Sequence, residues 1–515
     1  MKKYILSGKV VGIALGLMTV LASCDKTIDE PQRSAYAPAS VDEKAGTWKT
    51  YILTSSSEIA VADPKAVSSP EYIAELASLK QKSASLTKEQ QEAVAYWGSG
   101  AVYRWNEIAR ELSARYNIPP AYNAEGKYPV PDAANPLADP KFPFANPPYA
   151  SRALAYLSVA QYDALVAAWN YKYKFNRAAP SKTDATITVS LPVSTIPTYP
   201  SEDAVVAAAS VTILKAMFPG EVPFLEAKMK EHRESRLWAG MNVESDLVAG
   251  VDLGNAVAAK VMSRAKTDGM AAANNQALTA GMIEGAKARG LREAWVSQET
   301  PLRPPMLPNY GAVLTWNFDK ATVVALRAVP PPALDSPDFK KDLEELQNIQ
   351  KNQTREQARI ANYWSDGAGS YTPPGHWHRT AANVSYEAKH SEVRMARTLA
   401  LLGTAEMDAA IVCWDTKFYY YYPRPQQFKV KTSVGLPNFP SYTSGHSTFS
   451  AAAATVLGYI FPDQAETFNK QAQEASTSRI YGLIHYRFDC TEGLKAGTEV
   501  GKYAIARGKA DGSGL

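Results

Sequence analysis

The sequence predicts an all-α protein of helical bundles joined by long irregular loops, and three observations carry that expectation. Apolar residues recur at helical spacing over most of the chain, and strand-like alternation is confined to Thr186–Val189. The long connections 119–148, 174–201 and 299–335 are rich in Pro, Asn and Tyr, as loops are. With 515 residues and 46% apolar content, the chain is long enough to bury a substantial core.

Taken in order, the N-terminus reads as a secretory signal: Lys2 and Lys3, an apolar run from Val10 to Leu21, then Ala22-Ser23-Cys24. Leu21-Ala22-Ser23-Cys24 resembles the bacterial lipobox. That resemblance implies removal of residues 1–23, a lipid on Cys24 and an exported protein tethered to a membrane of the bacterial envelope. An ordinary signal-peptidase site is the other reading. No later stretch reaches the roughly 18 uninterrupted apolar residues of a membrane span. Removal of 1–23 takes away three lysines and no acid, so the formal charge falls from +4 to +1. Such a balance offers nucleic acid no electrostatic reason to bind.

Residues 25 to about 50 are polar and Pro/Ser/Ala-rich, which suits a flexible tether, and 24–86 are expected to be an N-terminal extension. From Thr87 to Tyr116, Ala93, Trp97, Val102, Trp105, Ile108 and Leu112 recur at intervals of three to five, as one buried helical face requires. Ala150 to Lys172 repeats the pattern with Leu154, Leu157, Tyr162, Leu165 and Trp169. Further helical runs fall near 202–217, 222–238, 244–266, 336–363, 385–416, 446–460 and 464–476. The expected division is a bundle over 87–335 and a second, catalytic one over 336–515.

Chemistry concentrates in the last hundred residues. Lys417 precedes Arg424-Pro425 by six intervening residues; then come Phe439-Pro440-Ser441-Tyr442-Thr443-Ser444-Gly445-His446 and Ser478-Arg479, with His485 and Asp489 following. A phosphoryl group in transfer spreads charge over three equatorial oxygens, so fixed donors do most of the catalysis. Lys417, Arg424 and Arg479 supply positive charge, Ser444 a hydroxyl, and Gly445 an approachable amide at a helix start. Two imidazoles, His446 and His485, divide attack and proton transfer, which needs their pKa values pushed apart. Asp489, one turn beyond His485, is spaced to hold that ring in its attacking tautomer.

The three segments resemble, in order and spacing, the signature K-x6-R-P, P-S-x-x-S-G-H and S-R-x5-H-x3-D of the PAP2 phosphatase and vanadium-dependent haloperoxidase superfamily. By that resemblance His485 is the nucleophile that becomes phosphohistidine, or the direct ligand of vanadate. His446 is the acid–base residue, and Lys417, Arg424, Ser444, Gly445 and Arg479 form the oxyanion cradle. A weaker likeness extends from about Ala150.

The resemblance leads first to a phosphatase hydrolysing a small-molecule phosphate ester without a cofactor. Its alternative is a haloperoxidase that needs vanadate, halide and peroxide. Trp414 and Phe439 resemble the aromatic wall of the haloperoxidase halide pocket. Trp364-Ser365-Asp366-Gly367 with Thr372-Pro373-Pro374 resembles a segment whose Asp bonds the acid–base histidine, although one residue is missing before Asp366. A different class of reading is a surface binding lipoprotein that kept the fold and lost the chemistry; it expects a gap in the catalytic set, and the sequence has none.

Weaker signals have bland readings. His376 and His378 are expected to line the site mouth from a loop, since no cluster supplies the remaining ligands of a metal site. Gly497 to Lys502 is one residue short of a phosphate-binding loop and lacks its following hydroxyl residue. Cys413 and Cys490 flank residues that should converge, so they either pair or pack as two small buried hydrophobes.

Overall fold

The computed structural model describes residue 30 and residues 33–131, 142–193 and 195–514. The signal-like stretch and Cys24 lie outside these residues. Ten helices position the site: α1 Ala101–Tyr116, α2 Pro147–Phe175, α3 Glu202–Met217, α4 Glu244–Ala265, α5 Arg355–Tyr363, α6 Thr372–Glu387, α7 Glu392–Tyr420, α8 Gly445–Ile460, α9 Ala465–Tyr481 and α10 Arg487–Lys509. There is no strand among the described residues, so the fold is all-α as expected.

At the centre lie α2 and α7, each 29 residues long and buried on nearly every side. A helix can be apolar all round only when other helices surround it. Both start on capping side chains: Asn146 accepts from the Tyr149 amide, with Pro147 at the first helical position, and Ser391 accepts from the Arg394 amide. Both end on a residue in the left-handed region, Asn176 and Tyr421. One apolar core joins Trp105, Leu157, Ala400 and Leu457, so it runs across the expected 335/336 boundary. No helix of the described residues is long and apolar enough to cross a membrane.

Around the site, α10 crosses α8 at very short range through Gly493, Gly497 and Gly501. A Cβ at Gly497 would lie 2.1 Å from the Thr448 carbonyl oxygen. These glycines are therefore packing residues, as befits a stretch too short for a phosphate loop. Gly497→Ala is expected to destabilise the protein by about 1–3 kcal/mol, because the backbone of α8 must move. The urea midpoint measures this; an unchanged midpoint would mean that the crossing is loose.

Several expectations need correction. Residues 33–50 are not a free tether: the Tyr36 amide donates to Gly98, that of Ala39 to Lys389 and that of Lys49 to Asp511. Thr186–Val189 forms a turn rather than a strand, since no second strand lies beside it. The run 87–116 is two helices broken at Gly98–Gly100, with Gly100 at φ 112. The helices Pro70–Ala84 and Thr279–Ala288, and α10, went unpredicted. Ser69-Pro70 was a legible start signal for the first, whereas the glycines of α10 hid its helical period.

Candidate functional site

The three motif segments converge where the end of α7, the loop 422–444, the start of α8, the end of α9 and the first turn of α10 meet. His485 sits in the bend between α9 and α10, and Asp489 follows in the first turn of α10. The His485 Nδ1 lies 2.8 Å from Asp489 Oδ2, so Nδ1–H donates and Nε2 keeps its lone pair. Asp489 Oδ2 also accepts from the Ser441 hydroxyl at 2.5 Å and from the Tyr486 amide at 3.2 Å. Burial first, then Arg424 and Lys417, holds His485 well below the usual imidazole range. Burial pushes Asp489 up, against the hydrogen bond from Ser441 and the charge of Lys417. Asp489→Ala should cost about 10²–10⁴-fold in turnover, with the His485 ring nitrogens shifting in NMR from one tautomer to a mixture. A single unchanged tautomer would show that the carboxylate does not orient the ring.

Arg424 and Arg479 are each 1% exposed, and neither has a carboxylate ion-pair partner among the described residues. Arg424 donates from Nε to the Phe439 carbonyl at 2.8 Å and from Nη1 to that of Ile484 at 2.7 Å, leaving Nη2 buried without a partner. Arg479 donates from Nε to Ser478 Oγ at 2.9 Å and from Nη2 to the Ala361 carbonyl at 3.0 Å. Burial pulls the two down to about 9 and about 10, the signature of positive charge awaiting an anion.

Lys417 differs from its expected place in the cradle. Its ammonium donates to the carbonyls of Pro440 at 2.9 Å, Ser441 at 2.8 Å and Thr443, which spends all three protons. Its direct work is to hold the 440–443 loop, and its charge reaches the site only through space. Ser444 caps α8, accepting from the Ser447 amide at 3.3 Å, and its side chain also meets the Cys490 thiol. At Gly445 a Cβ would meet Phe449 at 3.7 Å, an ordinary contact, so glycine leaves room there rather than relieving a clash.

His446, half-buried in the first turn of α8, has Nε2 without a partner. Burial and Arg479 hold it well below its ordinary value, opposed by the main-chain carbonyls of Trp364 and Ser365. Its expected partner, Asp366, instead faces His376 Nδ1, with both carboxylate oxygens at 3.3 Å. The shortened spacing after Trp364 accounts for this. Asp366 takes φ 40, and Trp364 stacks on the His376 ring at 4.5 Å.

The loop expected at 375–378 is helix, because Pro373 and Pro374 occupy the first turn of α6. Neither histidine lines the cavity. His378 is buried against Asn106 at 3.0 Å and Glu406 at 3.5 Å, inside the core. No cluster of metal-ligating residues occurs among the described residues. Cys413 and Cys490 are free, buried thiols; they contact Thr443 and the Ser476 carbonyl respectively.

A cavity of about 1110 Å³ opens above His446, Arg479, His485 and Gly445. Trp414 and Phe439 stand beside this floor with ring centroids 4.9 Å apart, and Asp366 lies on the wall. Lys417, Arg424 and Ser444 sit behind the surface. The upper walls come from prolines and aromatics of residues 119–131, 142–149 and 299–307. Sequence reasoning gave no role to Ser441 or to these loops. Ser441 was visible inside the second motif, while nothing local marks the loops as walls.

The all-helical frame thus buries two guanidiniums without carboxylate partners beside an imidazole oriented by Asp489. Residues 398–507 match the family model of the PAP2 superfamily, the segment that holds all three motifs. Similar solved structures include that of the first bacterial vanadium-dependent iodoperoxidase, 24% identical with a TM-score of 0.54, covering 70% of this chain and 91% of that one. A holo-type bacterial vanadium-dependent chloroperoxidase is 15% identical with a TM-score of 0.51, covering 75% of this chain and 97% of that one. No curated protein matches the sequence.

Proposed function

We propose that the chain is a vanadate-dependent haloperoxidase that oxidises halide with hydrogen peroxide at the cavity floor. The carrying observation is the pair of buried guanidiniums without carboxylates, Arg424 and Arg479, flanking His485. The aromatic wall of Trp414 and Phe439 beside that floor supports this reading over simple anion binding. A helical frame shared with two vanadium-dependent peroxidases well beyond 398–507 supports it further.

The residues fit vanadate: His485, whose Nε2 keeps its lone pair, would hold it. Arg479 and the amides opening α8 would hold the oxygens, with the charge of Arg424 behind them. When bound, vanadate supplies the Lewis acidity that activates peroxide toward halide. The His446 imidazole, which lines the floor, would give and take protons there. Attachment to a bacterial envelope through a lipid on Cys24 is part of the same proposal.

Phosphate-ester hydrolysis is the second reading, favoured by the tautomer of His485. With Nδ1–H held by Asp489, the Nε2 lone pair can attack phosphorus while the leaving oxygen takes a proton from His446. Water then cleaves the N–P bond. Paired assays on one preparation test both. The proposal expects bromide or iodide oxidation that requires vanadate and peroxide. Ester hydrolysis inhibited by vanadate, with no halide oxidation, selects the phosphatase. Inactivity in both assays selects a binding protein.

Proton linkage gives an independent check. In the free site His446 is deprotonated at neutral pH, its pKa depressed by burial and Arg479. An anion beside it raises that pKa, so binding takes up a proton and affinity falls as pH rises between the two values. Calorimetry with sulfate in buffers of different ionisation heat should show this uptake. Its absence would remove His446 from the acid–base role.

A further inference from the structure

We propose that the rim of the cavity is a docking surface for the lipid bilayer that holds the acyl chain of Cys24, an inference that rests on the lipobox reading of Leu21–Cys24. The rim is built from residues 118–131 and 296–304, tied together above the cavity. Arg303 Nη2 donates to the Pro120 carbonyl at 2.9 Å, and the Tyr128 hydroxyl lies 3.2 Å from both Glu299 Oε2 and the Pro301 carbonyl. From these loops Ile118, Val130 and Leu302 turn outward, 56%, 74% and 70% exposed. One such side chain needs no explanation, but several on loops tied to one another make a patch.

The place where the chain joins the body selects the occupant. The Tyr36 amide bonds to Gly98, the Arg33 side chain reaches Tyr103, and Glu30 pairs with Arg110. Followed backwards, these contacts step along α1 towards its C-terminal end, where Ile118 follows. From Arg110 to Ile118 is about 12 Å of helix rise, and the stretch from Cys24 to Glu30 spans at most about 20 Å. An acyl chain on Cys24 therefore holds the membrane surface at the rim's end of the body. The helix Val222–Trp238 runs back along α1, from Glu221 beside Arg115 and Tyr116 to His232 beside Trp105, so Leu237, which clusters with Tyr72 of the helix Pro70–Ala84, lies away from the rim. Apolar side chains at that distance from a bilayer gain by entering its interface.

The test uses the full acylated protein in phosphatidylcholine–phosphatidylglycerol vesicles that carry brominated acyl chains. Because Cys413 and Cys490 are buried, a cysteine introduced as Leu302→Cys, Ile118→Cys or Ile73→Cys takes a fluorophore selectively. Quenching at 302 and 118 is expected to exceed that at 73 by roughly threefold or more, and Val130→Ser with Ile118→Ser is expected to reduce it at 302. Equal quenching at all three positions, with the acyl mass present on Cys24, overturns the docking surface. Absence of that mass overturns the lipid anchor instead, and the mass spectrum reads this separately.

Discussion

His485→Ala is expected to lower turnover by at least about 10³-fold in whichever of the two assays the protein is active, and to abolish tight oxyanion binding. No other imidazole on the floor has its Nδ1 fixed by a carboxylate, and His446 approaches from a different helix with no such partner. The fold should tolerate the change. Asp489 keeps its bonds from Ser441 and the Tyr486 amide, and the ring already faces a cavity. Circular dichroism and a melting curve distinguish lost chemistry from lost structure. Activity above about a tenth of the parent would show that His485 does not hold the reacting group.

Arg479→Ala carries the second large effect, a loss of about 10²–10³-fold in turnover, equivalent to about 2.7–4 kcal/mol of transition-state stabilisation. The guanidinium lies on the cavity floor with no carboxylate bound to it, so its favourable partner arrives only with the anion. Orthovanadate should raise the melting temperature of the parent and raise that of the variant far less, since a ligand stabilises in proportion to its affinity. Arg479→Lys should restore part of the effect, because an ammonium supplies charge without the planar fork. Equal stabilisation of parent and variant would place the anion elsewhere.

Much of the site was legible because its chemistry is local in sequence. Ser444-Gly445-His446 opens a helix wherever that helix packs, and the i, i+4 spacing of His485 and Asp489 suits the contact found between them. Long-range placement was less legible. Residue type and motif spacing point Lys417 at the anion, but the loop 440–443 folds back over its ammonium and occupies every proton. The resemblance pairs Asp366 with the acid–base histidine and the sequence leaves His376 at the site mouth, yet the two face each other across the turn that opens α6. His378 vanished into the core because a helix start replaced the expected loop.

By itself, the amino-acid sequence determined the all-helical class, most helix positions and the three motif segments that the fold brings together. Apolar periodicity, capping residues and motif spacing are properties of neighbouring residues. Only the tertiary structure decided which cations face the cavity and which brace the loops behind it, and that one core unites the two expected bundles. It alone raised the proline-rich walls over the floor. Those outcomes depend on contacts between segments hundreds of residues apart, where backbone carbonyls compete with the ligand for the same donors, and no local pattern records who wins.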